Sequence, residues 1–133
     1  MHFFGRPDWR CNKLGDVHSY RDVFSYMEQL HGLAPAIHIV PLCDIPFNRA
    51  KSNNAWLEAT STGAIVVAPD LPEWRRPGVL LYKQGGFYEI VRTAMAMTEK
   101  QRLNEVAKSR KYILENLTLS IVNKQRREIL NNL

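Results

Sequence analysis

The sequence predicts an α/β fold: a small Rossmann-like half-domain with a short parallel sheet flanked by helices and with C-terminal helices packed on it. Short apolar runs such as Ile65-Val66-Val67-Ala68 read as strands buried on both faces. These runs alternate with segments whose apolar residues recur at helical spacing. Glycines, prolines and asparagines separate them, most densely over residues 43–54 and 69–78. Strand and helix in alternation, joined by right-handed crossovers, build a parallel sheet.

Each element follows from local chemistry. Residues 1–17 carry Gly5, Pro7 and Gly15 and read as irregular. Ser19 and Asp22 have the spacing of a capping box, with Asp in place of Glu. A helix is expected from there, with Val23, Phe24, Met27 and Leu30 on its apolar side and Gly32 at its end. The run 36–42 reads as the first buried strand, and 43–51 as a loop. Residues 52–62 form a short helix with Ser52 as its N-cap, and Gly63 stands where a left-handed residue closes a helix. Residues 64–68 are the second strand. The segment 69–77 holds three prolines and reads as irregular; 78–82 is the third strand. A helix spans 87–97. Thr98 and Gln101 make a capping box for the next one, which runs to about Asn116 with Leu103, Val106, Tyr112 and Ile113 inward. Thr118 opens a last helix that ends near Leu130. No internal repeat and no clear linker are expected.

At 133 residues the chain reads as one domain, long enough to bury a core. It divides into an N-terminal extension and helix (1–35), a strand-helix-strand core (36–97) and C-terminal helices (98–133). No apolar run approaches the ~20 residues that cross a bilayer, and no apolar signal segment opens the chain. The expected location is the cytoplasm. Cys11 and Cys43 read as free thiols of a reducing compartment. His2, His18, His31 and His38 are scattered without metal-ligand spacing, so no metal is expected. The net charge of +5 comes mostly from residues 99–133, with eight basic and four acidic side chains. That segment has one aromatic residue, Tyr112, so it reads as a solvated helical surface rather than a nucleic-acid stripe.

Several residues could carry chemistry. Glu58 lies mid-helix, where a carboxylate is able to accept hydrogen bonds from both hydroxyls of a ribose; the alternative is a solvated helix residue. Lys51 stands at the start of the same helix, where free N–H groups favour an anion, or serves solubility alone. Ser52 offers a hydroxyl to the helix, to a phosphate, or to both. Asn53, with Asn48 and Asn54, reads first as turn chemistry. Asp44 follows the first strand and suits either substrate contact or a turn. In the loop after the second strand, Glu73, Trp74, Arg75 and Arg76 would line a ligand crevice, or Trp74 would pack into the core edge.

The pieces IHIVPLCD, FNRAKSNNAWLEATSTGAIVVAP and PGVLLY together resemble the C-terminal, donor-binding half of GT-B glycosyltransferases. That resemblance implies a nucleotide-sugar as donor substrate and no metal cofactor. It implies a ribose contact at Glu58, diphosphate contacts at Lys51, Ser52 and Asn53, and an approach to the donor sugar by Pro69 to Glu73, with Asp44 beside them. Lys51 would be the catalytic group, stabilising the leaving diphosphate. The chain departs from the family in two ways. Ala50 stands where many members have a second acid, and 133 residues leave no room for the acceptor domain. The implied protein is a truncated GT-B-like domain that needs a partner chain for sugar transfer. The alternative is a non-catalytic assembly module descended from one, for example a phage or surface-complex component, and then in the host cytoplasm.

Overall fold

The computed structural model describes residues 1–4, 13–18 and 22–132. The chain forms two compact units, Met1–Leu33 and Ala34–Leu133. The expected helix start at Ser19 and the thiol of Cys11 lie outside the described residues.

The first unit corrects the reading of residues 1–17 as irregular. Strands β1 (His2–Phe4) and β2 (Asp16–His18) pair in parallel, with His2 opposite Asp16 and Phe4 opposite His18. Helix α1 (Val23–Leu33) follows. Asp22 caps it, its Oδ1 accepting from the Phe24 and Ser25 amides at 3.0 Å each and its Oδ2 from the Ser25 hydroxyl at 2.6 Å. The three charge-compatible bonds hold the Asp22 carboxyl below its usual range, the Ser25 hydroxyl foremost. Phe4 stacks on His18 at 4.8 Å and meets Tyr26 edge-on at 5.4 Å, which ties the two strands to the helix. Gly32 lies inside α1 rather than ending it. The helix closes instead with Ala34 in the left-handed region, at φ 41°.

The second unit is the expected α/β half-domain. Its sheet has the order β3 (Ile37–Ile39), β4 (Ile65–Pro69), β5 (Val79–Tyr82), all parallel. Every residue of β4 is buried, as a central strand covered on both faces requires. On one face Val40, Val66 and Ala68 pack against Trp56 and Ala59 of α3 (Asn54–Thr62), against Leu71 and Trp74, and against Tyr112 and Ile113 of α5 (Glu99–Asn116). On the other, Ile65, Val67 and Tyr82 meet Ile90, Val91 and Ala94 of α4 (Phe87–Ala96), with Val106 of α5. Helix α6 (Leu119–Asn131) completes the chain and buries none of its residues. Among the described residues no helix is long and apolar enough to cross a membrane.

Local chemistry explains the helix ends. Gly63 takes φ +84°, and the amides of Gly63 and Ala64 reach the Thr60 and Ala59 carbonyls at 3.2 and 2.9 Å, a Schellman closure. Thr98 and Gln101 exchange both bonds of the capping box that starts α5. Three expected details differ. Helix α3 begins at Asn54, so its N-cap is Asn53 and Ser52 lies exposed outside it. A short helix, α2 (Pro46–Arg49), occupies the segment read as loop, and Pro72–Trp74 form a 3-10 turn inside the proline-rich stretch. Both open on a proline whose missing N–H costs nothing at a first helical position. Leu103, expected inward, is 56% exposed; the inward position on α5 goes to Ser109, which is 3% exposed.

Ser109 replaces an apolar contact with a polar joint. Its Oγ accepts from the Trp56 indole N–H at 3.1 Å and donates to the Pro77 carbonyl at 2.7 Å. One hydroxyl thereby connects α3, α5 and the turn into β5. Gly78 makes this approach feasible: it has φ +77°, and a Cβ there would overlap the Glu105 carbonyl and the Ser109 hydroxyl.

Candidate functional site

In a parallel sheet every strand delivers its following loop to the same edge, and ligands bind there. In the second unit that edge holds an open crevice of about 460 Å³, within the range of about 300–1,000 Å³ typical of small-molecule clefts. The end of β3 contributes Leu42 to Ile45, the end of β4 contributes Pro69 to Leu71, and the end of β5 contributes Tyr82 to Gly85. Phe87, first residue of α4, closes one side.

Tyr82 forms the floor. Its hydroxyl lies 2.9 Å from the carbonyls of both Val40 and Leu42, so the side chain of one outer strand reaches the backbone that follows the other. Burial pushes its phenol up. Phe87 meets the Tyr82 ring edge-on at 5.1 Å, which fixes its orientation.

The charged lining consists of two carboxylates and an ammonium group. Asp44 takes a bidentate pair from Arg49, at 2.5 Å from Nε and 2.9 Å from the terminal nitrogen. The guanidinium holds the Asp44 carboxyl below its usual range, and the carboxylate raises Arg49 in turn. Asp70 accepts from Arg75 Nε at 2.7 Å, and its side chain is only 23% exposed. Lys83 is exposed at the end of β5.

The seven residues singled out by sequence fall into three places. Asp44 and Pro69 line the crevice. Lys51, Ser52 and Asn53 stand together at the start of α3, where Lys51 Nζ lies 5.1 Å from the Phe47 ring centroid. Glu73 joins that group through its backbone, since Asn53 Nδ2 donates to the Glu73 carbonyl at 3.2 Å. The Asn53 side chain makes no cap bond to its own helix. The Glu73 carboxylate pairs with Arg76 at 3.1 Å. Glu58 is half-buried on α3 and acts electrostatically on His38 of β3. Burial depresses the His38 pKa, and the Glu58 charge opposes that shift in part.

Trp74 does not reach the crevice as a stacking platform. It is 2% exposed in the core, and its indole N–H has no acceptor among the described residues. Tyr82, Lys83 and Phe87 were not singled out by sequence, and Asp70 only within the Pro69 to Glu73 loop. Lys83 and Phe87 had a visible signal, a Lys-Gln-Gly-Gly turn between a strand and a helix. Among the described residues no group of three or more His, Cys, Asp or Glu side chains could hold a metal ion. No protein-family profile, curated protein or solved structure matches this chain.

Proposed function

We propose that the Ala34–Leu133 unit binds a nucleotide-sugar at the carboxyl end of its sheet, and that sugar transfer requires a partner chain. The observation that carries this reading is the open crevice at the ends of three parallel strands, bordered by the start of α4. Lys51, Ser52 and Asn53 would receive the diphosphate. Helix α3 supports this, because its N-cap side chain is turned to Glu73 and leaves first-turn N–H groups for another acceptor. Lys51 would then stabilise the charge that develops on the departing diphosphate. Glu58 would take the ribose hydroxyls, a role that competes with its interaction with His38.

Thermal unfolding with a panel of nucleoside diphosphate sugars tests this. A ligand at ten times its Kd stabilises the fold by about 1.4 kcal/mol, which moves Tm by a few degrees. The shift should vanish in Lys51→Ala and in Glu58→Gln, measured near pH 8 so that His38 stays neutral. No shift with any donor at about millimolar concentration, ample for ordinary metabolite sites, would refute the reading.

A second reading is a non-catalytic assembly module. It draws on α6, which has no buried residue and leaves Leu119, Ile129 and Leu130 largely exposed. Sedimentation analysis separates the two: an assembly module self-associates without a donor.

A further inference from the structure

The crevice is flanked by two copies of one short motif. Asp44-Ile45-Pro46-Phe47-Asn48-Arg49 and Asp70-Leu71-Pro72-Glu73-Trp74-Arg75 both read Asp-apolar-Pro-x-x-Arg. This corrects the expectation of no internal repeat. The copies follow adjacent strands, and they share the turn-closing amide bond and the Arg Nε to Asp bond. Ile45 and Leu71 are both extended N-caps, at φ −130° and −108°, each followed by a proline that opens a single helical turn. The Ile45 carbonyl accepts from the Asn48 amide at 3.0 Å, and the Leu71 carbonyl from the Trp74 amide at 2.9 Å. Asn48 and Trp74, the fifth residue of each copy, are both buried. Each turn thus brings the arginine back onto its own aspartate.

We propose that this crevice is a polyol subsite, in which Asp44 and Asp70, each held by the arginine five residues on, accept hydrogen bonds from neighbouring hydroxyls of a sugar. The inference rests on the donor-binding reading, since it assigns the sugar end of that ligand. The chemistry that selects hydroxyls is the pairing itself. A carboxylate offers about four acceptor positions, and a guanidinium uses two of them at most. The remaining lone pairs still accept hydrogen bonds, but the charge is already neutralised. A second cation therefore gains little, whereas a neutral O–H donor gains a charge-assisted bond to an immobilised acceptor. Both aspartates line the one crevice, so a single ligand seated there meets both acceptors. Phe87 and Leu71 supply the apolar surface that a ring's C–H face requires.

The test is amide chemical-shift mapping of the full chain with four probes: glucose, N-acetylglucosamine, UDP-glucose and UDP, with free arginine as the cationic contrast. The expected result is that a free sugar moves the amides of Leu71, Lys83 and Gly85, with a millimolar Kd. Asp44→Asn and Asp70→Asn should each weaken it about tenfold, the scale of one charge-assisted bond. Asp44 is exposed, so its variant keeps the fold even where Asp70→Asn does not. Arg75→Gln should reverse the preference, admitting arginine at the expense of sugar. Sugar binding without any response to UDP would retain the subsite and remove the donor reading. Binding of UDP and UDP-glucose alike, with no free-sugar effect, would retain the donor reading and overturn the subsite. Arginine outcompeting sugars in the wild-type chain, or sugar binding unchanged in both asparagine variants, would also overturn it.

Discussion

Replacing Ser109 by alanine removes one oxygen, one buried hydrogen bond and one part-buried hydrogen bond. The Trp56 indole N–H loses its acceptor in a position with no solvent exposure. An orphaned buried donor costs about 1–3 kcal/mol. The Pro77 carbonyl also loses its donor, but Pro77 is exposed and water replaces the hydroxyl, so this loss is about 0.5–1 kcal/mol. Alanine is the better helix former mid-helix, which returns about 0.5 kcal/mol. The expected net loss is about 1–3.5 kcal/mol of unfolding free energy. Urea denaturation followed by far-ultraviolet circular dichroism measures it, and an unchanged m-value would show that the fold is retained. The double variant with Trp56→Phe isolates the bond: removing donor and acceptor together should cost less than the sum, by about 1–2 kcal/mol. A Ser109→Ala loss below about 0.5 kcal/mol would mean that the joint carries no energy and the reasoning fails.

Three further outcomes follow from the same structure. Gly78→Ala should lose about 2–4 kcal/mol in the same denaturation assay, because φ +77° and the overlap with Glu105 and Ser109 act together. Ala34→Gly should gain about 0.5–1 kcal/mol, since φ 41° strains alanine and suits glycine; a loss would show the helix end to be held by something else. The depressed His38 pKa means that the unfolded chain binds a proton more readily than the folded one. Its contribution is complete above the unfolded value of about 6.5 and is lost as pH falls through that value toward the lower folded one. Glu58→Gln removes the opposing charge, so the His38 proton resonance should titrate at still lower pH; a titration at higher pH would contradict the assignment.

Features decided by a few adjacent residues were legible in the sequence. Gly63 closes α3 and the Thr98–Gln101 box opens α5 because the bonding groups lie within five residues of each other. Strand β4 was legible because a strand covered on both faces leaves no polar position. Features that depend on distant pairing were hidden. Three-residue strands such as β1 and β2 carry no periodic signal, and only the pairing of His2 with Asp16 reveals them. The α5 stripe was misassigned at Leu103 because the inward position is taken by a serine, whose value lies in Trp56, 53 residues away. The site was legible by position and less so by residue. The sequence pointed to the carboxyl edge of the sheet, where Asp44 and Pro69 lie in the crevice. Glu58 was picked for its place on the helix, and only the folded chain brings His38 beside it.

The crevice and the sheet are stabilised by the same residue, which constrains how this unit could bind anything. With three strands, β3 and β5 each have one neighbour, so the backbone at their ends lacks a full ladder. Tyr82 compensates by crossing from β5 to the Val40 and Leu42 carbonyls beyond β3. The ring that makes that link is also the crevice floor, and Phe87 is braced against it. A ligand that pressed on the floor would therefore pull on the outer strands. One that engaged the Asp44 and Asp70 turns would leave the floor alone, because those turns are closed by their own bonds within six residues. The rim can thus exchange partners without loosening the sheet. That separation of a self-contained rim from a structural floor favours the two turns, rather than Tyr82, as the contacts that discriminate between ligands.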